Sequence, residues 1–151
     1  MSRKKIVLIV VAALFVLIQF IPQNPPLVTA DNPDDIAAGN IPEDVKTILR
    51  KACYDCHSNE SVFPWYSNVA PVKWLVYADI NKGRKELNFS EWNKMSLLDK
   101  SSALDDIASE VEEGEMPMKI YTLMHKEARL DSAERQSLIN WANKEMETLF
   151  E

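Results

Sequence analysis

The sequence predicts an all-α protein. Apolar residues recur at helical spacing in four stretches beyond residue 40, and no segment alternates convincingly with period two. Only three glycines occur in 151 residues, with no repeats and no low-complexity tracts. The first helix of this region begins near Pro42, a residue suited to a first turn, with Asn40 as its expected cap. Ile41, Val45, Ile48, Leu49, Ala52 and Cys56 fall on one face. Glu43 and Asp44 open the helix and Arg50 and Lys51 close it, as the helix dipole favours. An aromatic loop, Phe63-Pro64-Trp65-Tyr66, precedes a second helix from Pro71 with Val72, Leu75, Val76 and Ile80 on one face. Gly83 is expected to end or loosen it. Asn88 to Trp92 reads as a turn into a short helix capped by Ser90. The next helix spans about Ser96 to Glu113, with Leu97, Leu104, Ile107, Ala108 and Val111 inward and Gly114 as its stop. The last begins at Asp131 or Ser132, where Asp131 and Glu134 form a capping-box pattern. Leu138, Trp141, Ala142 and Leu149 are its buried stripe.

One motif carries chemistry. Cys53-Tyr54-Asp55-Cys56-His57 reads C-x-x-C-H, and its cysteines are the only two in the chain. That is the attachment signature of c-type haem. Two thiols three positions apart on a helical turn face the same way, so both can add to the vinyl groups of one porphyrin. The imidazole that follows is then held beneath the iron as its proximal ligand. The expectation is a small cytochrome c-like helical domain around one covalently bound haem c. A redox dithiol would sit in a βαβ pattern, which is missing here. A zinc site would need Cys53, Cys56, His57 and His125 on one ion, with two ligands adjacent in sequence. A disulfide would close a very short loop for little gain.

The N-terminus adds a compartment. Arg3, Lys4 and Lys5 precede an apolar run from Ile6 to Ile21 broken only by Gln19, which reads as an export signal. The run is short for a membrane span of roughly 20 residues. Val28-Thr29-Ala30 resembles a cleavage site, so residues 1–30 read as a signal anchor or a cleaved signal peptide. Either form places the remainder outside the cytoplasmic membrane, on the periplasmic side of a bacterial envelope. Bacterial haem attachment to C-x-x-C-H also takes place there. Residues 31–40 read as a linker, and 41–151 as the haem-binding domain.

The first thirty residues hold three of the 17 basic residues and none of the 23 acidic ones, leaving 14 against 23 in the exported part. Such an acidic domain lacks the basic footprint of nucleic-acid binding. It suits solubility, or steering toward a basic electron-transfer partner in the envelope.

The iron's second axial position has several candidates. Met95 and Met146 lie within helical patterns, where methionine fills core gaps. Met116 and Met118 lie in an irregular loop after the Gly114 helix stop, stiffened by Pro117. His125 is a further candidate. Trp65 and Tyr66 are candidate walls of the haem pocket.

Gly114-Glu115-Met116-Pro117, with Leu130 to Arg135, Leu138 and Trp141, resembles the end of many small cytochromes c. The resemblance implies that Met116, 59 positions after His57, is the distal ligand. A wider likeness covers Cys53 to Asn59, Pro64 to Ser67, Ala70 to Val72, Gly83-Arg84, Asn88 to Trp92, Met116-Pro117 and Tyr121 to His125. Together these resemble the bacterial haem-binding-domain family, whose members are envelope proteins with one N-terminal hydrophobic segment and one C-x-x-C-H. Where such sequences often continue Met-Pro-Pro and His-Pro, this chain has Met118 and Lys126. The resemblance implies haem binding rather than a particular reaction. A His57/Met116 haem would be an electron carrier. An iron without a methionine ligand would suit small-ligand sensing or peroxide chemistry, with Glu113, Glu115 and His125 as the nearest acid–base groups.

Overall fold

The computed structural model describes residues 1–150, and among them every regular element is helical. Seven α-helices occur: α1 (Arg3–Ile18), α2 (Glu43–Ala52), α3 (Tyr54–His57), α4 (Val72–Glu86), α5 (Leu97–Glu113), α6 (Lys119–Met124) and α7 (Ser132–Thr148). Short 3-10 turns cover Ile36–Ala38, Trp65–Asn68, Phe89–Lys94 and Lys126–Ala128. The all-α expectation is met.

The core forms where α7 lies along α5 and also touches α2. Val45, Ile48 and Leu49 from α2, Leu104, Ala108 and Val111 from α5, and Leu138, Trp141 and Ala142 from α7 are all buried. These are mostly the positions that the apolar periodicity selects. Leu97 is the exception on α5, being 52 % exposed beside the Ser96 cap.

Helix ends follow local chemistry. The Ser96 hydroxyl accepts from the Asp99 amide at the start of α5. Gly114 closes that helix in the left-handed region, φ 74°, where a side chain would be strained. Asp131 and Glu134 form the full capping box of α7. Glu134 also pairs with Lys51 of α2, so one carboxylate both caps α7 and joins it to α2. The Lys51 hydrogen bond, then the Asp131 amide, hold the Glu134 carboxyl below its usual 4.5. A depressed carboxylate contributes stability above its ordinary titration range and loses it as pH falls. Glu134→Gln is therefore expected to lower the melting temperature at neutral pH and to leave it nearly unchanged in acid well below 4.5. Thermal melts of both proteins across pH check this.

Several elements depart from expectation. α2 starts at Glu43 with Pro42 in the cap position and no side-chain cap, so Asn40 has no such role. Of the apolar face assigned to α4 only Ile80 is buried, while Val72 and Leu75 are exposed. Gly83 does not end α4, which continues through it to Glu86. The segment after Asn88 is a 3-10 turn, and the Asn88 side chain rather than Ser90 caps it. Helix α6 was not foreseen; its six residues are too few for periodicity to register.

Within the stretch read as a linker over 31–40, Asp35 and Ile36 are packed into the domain while Asp31, Pro33, Ala38, Gly39 and Asn40 are exposed. Asp35 and Ile36 are 4 % and 2 % exposed. A free tether would be solvated throughout, but Ile36 belongs to the same hydrophobic core as α2, α5 and α7. At the N-terminus, α1 is apolar around its circumference from Ile6 onward and has no buried residue. Among the described residues no helix is long and apolar enough to cross a membrane.

Candidate haem site

The C-x-x-C-H segment does not simply continue α2. The chain breaks at Cys53 (φ −123°, ψ −38°) and re-forms one turn as α3. Amides of Cys56 and His57 both donate to the Cys53 carbonyl, at 3.1 and 2.9 Å. This closed turn brings Cys53, Cys56 and His57 to the same cavity.

That cavity has a volume of about 700 Å³, within the usual range for a cofactor pocket. Its apolar walls come from Leu49 and Ala52 on α2, Phe89 in the 3-10 turn Phe89–Lys94, Ile107 and Val111 on α5, and Leu138 on α7. Met116, Pro117, Met118 and Tyr121 border it as well. The cavity thus lies at the junction of the three core helices.

The motif is held in place from both neighbours. Tyr54, at the first x position, is buried and stacks on Phe89 with ring centroids 5.4 Å apart. Its hydroxyl donates to Asp35 Oδ1 at 2.6 Å. Burial, then the hydrogen bond to that carboxylate, push the Tyr54 phenol well above its usual value. Asp55, at the second x position, accepts from the Val62 amide at 2.9 Å and from the Tyr121 hydroxyl at 2.7 Å. After the motif, the Arg84 guanidinium donates to the Ser58 carbonyl (2.7 Å), Ser61 Oγ (2.9 Å) and the Leu27 carbonyl (2.6 Å).

One hydrogen bond fixes the His57 ring. Its Nδ1 lies 3.1 Å from the Leu87 carbonyl oxygen, which can only accept. Nδ1 therefore carries the proton and Nε2 keeps a free lone pair. Burial lowers the imidazole's proton affinity, which favours the neutral ring. Both thiols are unpaired. Burial pushes Cys53 up to about 12 and Cys56 up to about 11, which makes them poor exchange nucleophiles at neutral pH. Among the described residues no group of three or more His, Cys, Asp or Glu is placed to share a metal ion. The tetrahedral arrangement of Cys53, Cys56, His57 and His125 is thus not assembled.

The loop after α5 is pinned rather than loose. The amides of Glu115 and Met116 both donate to the Glu110 carbonyl at 3.0 Å. Arg135 of α7 donates to the Val111 carbonyl at 2.9 Å. Both Met116 and Met118 reach the cavity. Met118 is also the cap residue of α6, its carbonyl accepting from Thr122.

Other candidates lie elsewhere. Trp65 is 76 % exposed, and Tyr66 donates toward His125 Nε2 at 2.7 Å; neither lines the cavity. The loop carrying them turns outward as the 3-10 segment Trp65–Asn68, and Phe89 and Tyr121 supply the aromatic walls instead. His125 is held on both nitrogens, by Tyr66 and by Glu127 (3.1 Å), and stacks on Tyr121 at 4.3 Å. It too is outside the lining.

Asp35, Gly83, Arg84 and Tyr121 carry roles that composition and spacing do not reveal. Their contacts join residues 19 to 66 positions apart in the chain. Only the family likeness, which included Gly83-Arg84 and Tyr121, pointed toward three of them.

The family model described as a haem-binding domain matches residues 13–144. No curated protein and no solved structure matches the chain.

Proposed function

This chain belongs to the haem-binding-domain family, and we propose that it carries one haem c, held covalently, for one-electron transfer in the bacterial cell envelope. The observation that carries this reading is the convergence of Cys53, Cys56, His57 and two methionines on a single apolar cavity.

The residues fit the group. Cys53 and Cys56 would hold it through thioether bonds, and His57 Nε2 would be the proximal iron ligand. When bound, the haem supplies an iron centre that accepts and releases one electron. The chain does the rest. Leu87 fixes the His57 tautomer and orientation, which raises its strength as a ligand. Leu49, Ala52, Ile107, Val111 and Leu138 exclude water. Met116 would be the distal ligand in this proposal, its amide being held to the Glu110 carbonyl at the end of α5. A thioether ligand raises the potential and closes the iron to substrates.

The cavity border also carries Asp79, Glu86, Asp106, Glu110 and Glu115 against the single cation Lys82. A basic redox partner protein would be steered toward such a rim. The protein's place is the outer face of the cytoplasmic membrane, with α1 as its anchor. α1 carries only apolar side chains after Lys5.

The test is an optical spectrum of the haem-loaded chain, wild type and two variants. Iron–methionine sulfur bonding gives the oxidised form a weak far-red charge-transfer band. Wild type should show it, Met116→Ala should lose it and become high-spin, and Met118→Ala should keep it. A high-spin wild type that binds carbon monoxide without losing a ligand would instead favour small-ligand sensing or peroxide chemistry. Of the acid–base groups Glu113, Glu115 and His125, only Glu115 borders the cavity.

A further inference from the structure

The chain between α1 and the core is fastened to the haem domain at three points. The Gln19 side-chain amide pairs with the Ala70 backbone in both directions, donating to its carbonyl at 3.1 Å and accepting from its amide at 2.9 Å. Arg84 holds the Leu27 carbonyl at 2.6 Å. The Thr29 amide donates to the Asn59 carbonyl at 2.8 Å. Pro26, between these fastenings, is buried. Residues 19–29 are therefore a strap of the domain rather than a free leader. Cleavage after Ala30 would remove all three contacts, one of them on the same arginine that holds Ser58 and Ser61 behind the haem motif.

The strap fixes which face of the domain lies beside the end of α1. Ala70, where Gln19 binds, is fully buried. Large apolar side chains near it in the chain are exposed: Trp65 is 76 % exposed, Leu75 58 % and Val72 39 %, and Phe20, next to Gln19, is 78 % exposed. Trp65 meets the edge of the Tyr66 ring, centroids 5.9 Å apart, and none of the four side chains belongs to the hydrophobic core. The side chains of α1 are exposed in the same way, and the Gln19–Ala70 pair joins the end of α1 to this segment.

We propose that Phe20, Trp65, Val72 and Leu75 form a docking surface for the lipid bilayer that receives α1, so that the haem domain lies against the membrane in one fixed orientation. This rests on the anchoring of α1 proposed above. The 16 residues of α1 rise about 24 Å, short of the roughly 30 Å of hydrocarbon in a bilayer. A short anchor draws what is rigidly attached to it against the headgroups. An exposed tryptophan at that level, apolar in body and polar at its N–H, suits the interface.

The experiment uses the full haem-loaded chain in vesicles of phosphatidylcholine and phosphatidylglycerol doped with a photoactivatable phosphatidylcholine. Vesicles are floated, irradiated, and the labelled peptides mapped by mass spectrometry. Label is expected on the segment from Trp65 to Leu75 as well as on α1. Trp65→Ser with Leu75→Ser, both at exposed positions, should cut the label on that segment several-fold and leave α1 labelled. Gln19→Ala should also reduce it by freeing the domain from α1. Floating protein labelled on α1 alone would overturn the docking surface and leave the anchor standing. Protein that does not float, or that has lost residues 1–30, would overturn both.

Discussion

Gly83→Ala is expected to unfold the haem motif from its helical support and to abolish most haem loading. In an exposed helix interior this substitution gains about 1 kcal/mol. Here the sign reverses. A Cβ at residue 83 would lie 2.7 Å from the Cys56 carbonyl oxygen and 3.2 Å from its carbonyl carbon. Both are backbone atoms of the turn that presents the cysteines, so no side chain can swing aside. Either α4 retreats from α3 or the Cys53–His57 turn distorts, and the latter moves the thiols relative to one another. Overpacking of this kind costs about 1–3 kcal/mol, and at roughly 2–4 °C per kcal/mol for a chain of this size the melting temperature should fall by about 2–12 °C. The ratio of haem to protein absorbance should fall with it. A melting temperature equal to or above wild type would show that α4 and α3 are not in close contact at Gly83.

Asp35→Ala is the second large effect. The carboxylate is 4 % exposed and accepts from Tyr54, from the Ala37 amide and from Ser90, at 2.6, 2.8 and 3.2 Å. Removing it leaves the buried Tyr54 and Ser90 hydroxyls and the half-buried Ala37 amide without this partner, each costing about 1–3 kcal/mol where water cannot replace it. A loss of roughly 3 kcal/mol or more is expected. Tyr54→Phe deletes only one of those bonds and should cost about 1 kcal/mol. Denaturant unfolding of the two variants measures the difference. Equal losses would mean that Asp35 serves Tyr54 alone and not the wider joint between residues 35, 54 and 90.

These two residues show where reading the sequence stops. The helices α5 and α7 were legible because Leu104, Ala108, Val111, Leu138 and Trp141 repeat at helical spacing and Ser96, Gly114, Asp131 and Glu134 mark the ends. The motif was legible because its chemistry is encoded in five consecutive residues. Gly83 looked like a helix breaker, since close approach between helices leaves no mark in local pattern. Asp35 looked like linker because a single buried carboxylate among Asp, Asn and Pro has a polar composition whether buried or not. Val72 and Leu75 looked like core because periodicity finds an apolar face without saying what covers it. Trp65 and Tyr66 were aromatic and near the motif in sequence, but the backbone turn at Trp65–Asn68 carries them away from the cavity.

The strap over residues 19–29 changes how the cofactor site is viewed. Arg84 links the loop after the haem motif to the N-terminal segment, as does the Thr29 amide through the Asn59 carbonyl, so the site's stability and the position of α1 are coupled. Arg84 has no carboxylate partner among its hydrogen bonds, only two carbonyls and a hydroxyl.

The central claim is that haem is bound through Cys53 and Cys56. The most direct measurement is the intact mass of the full chain under denaturing conditions after co-expression with haem-attachment machinery. Addition of each thiol across a vinyl group expels no atoms, so the protein should gain the mass of one whole haem and keep it through acid–solvent extraction. The Cys53→Ala, Cys56→Ala double variant should show the bare polypeptide mass. Wild-type protein that returns to its bare mass while the haem passes into the solvent would contradict the account.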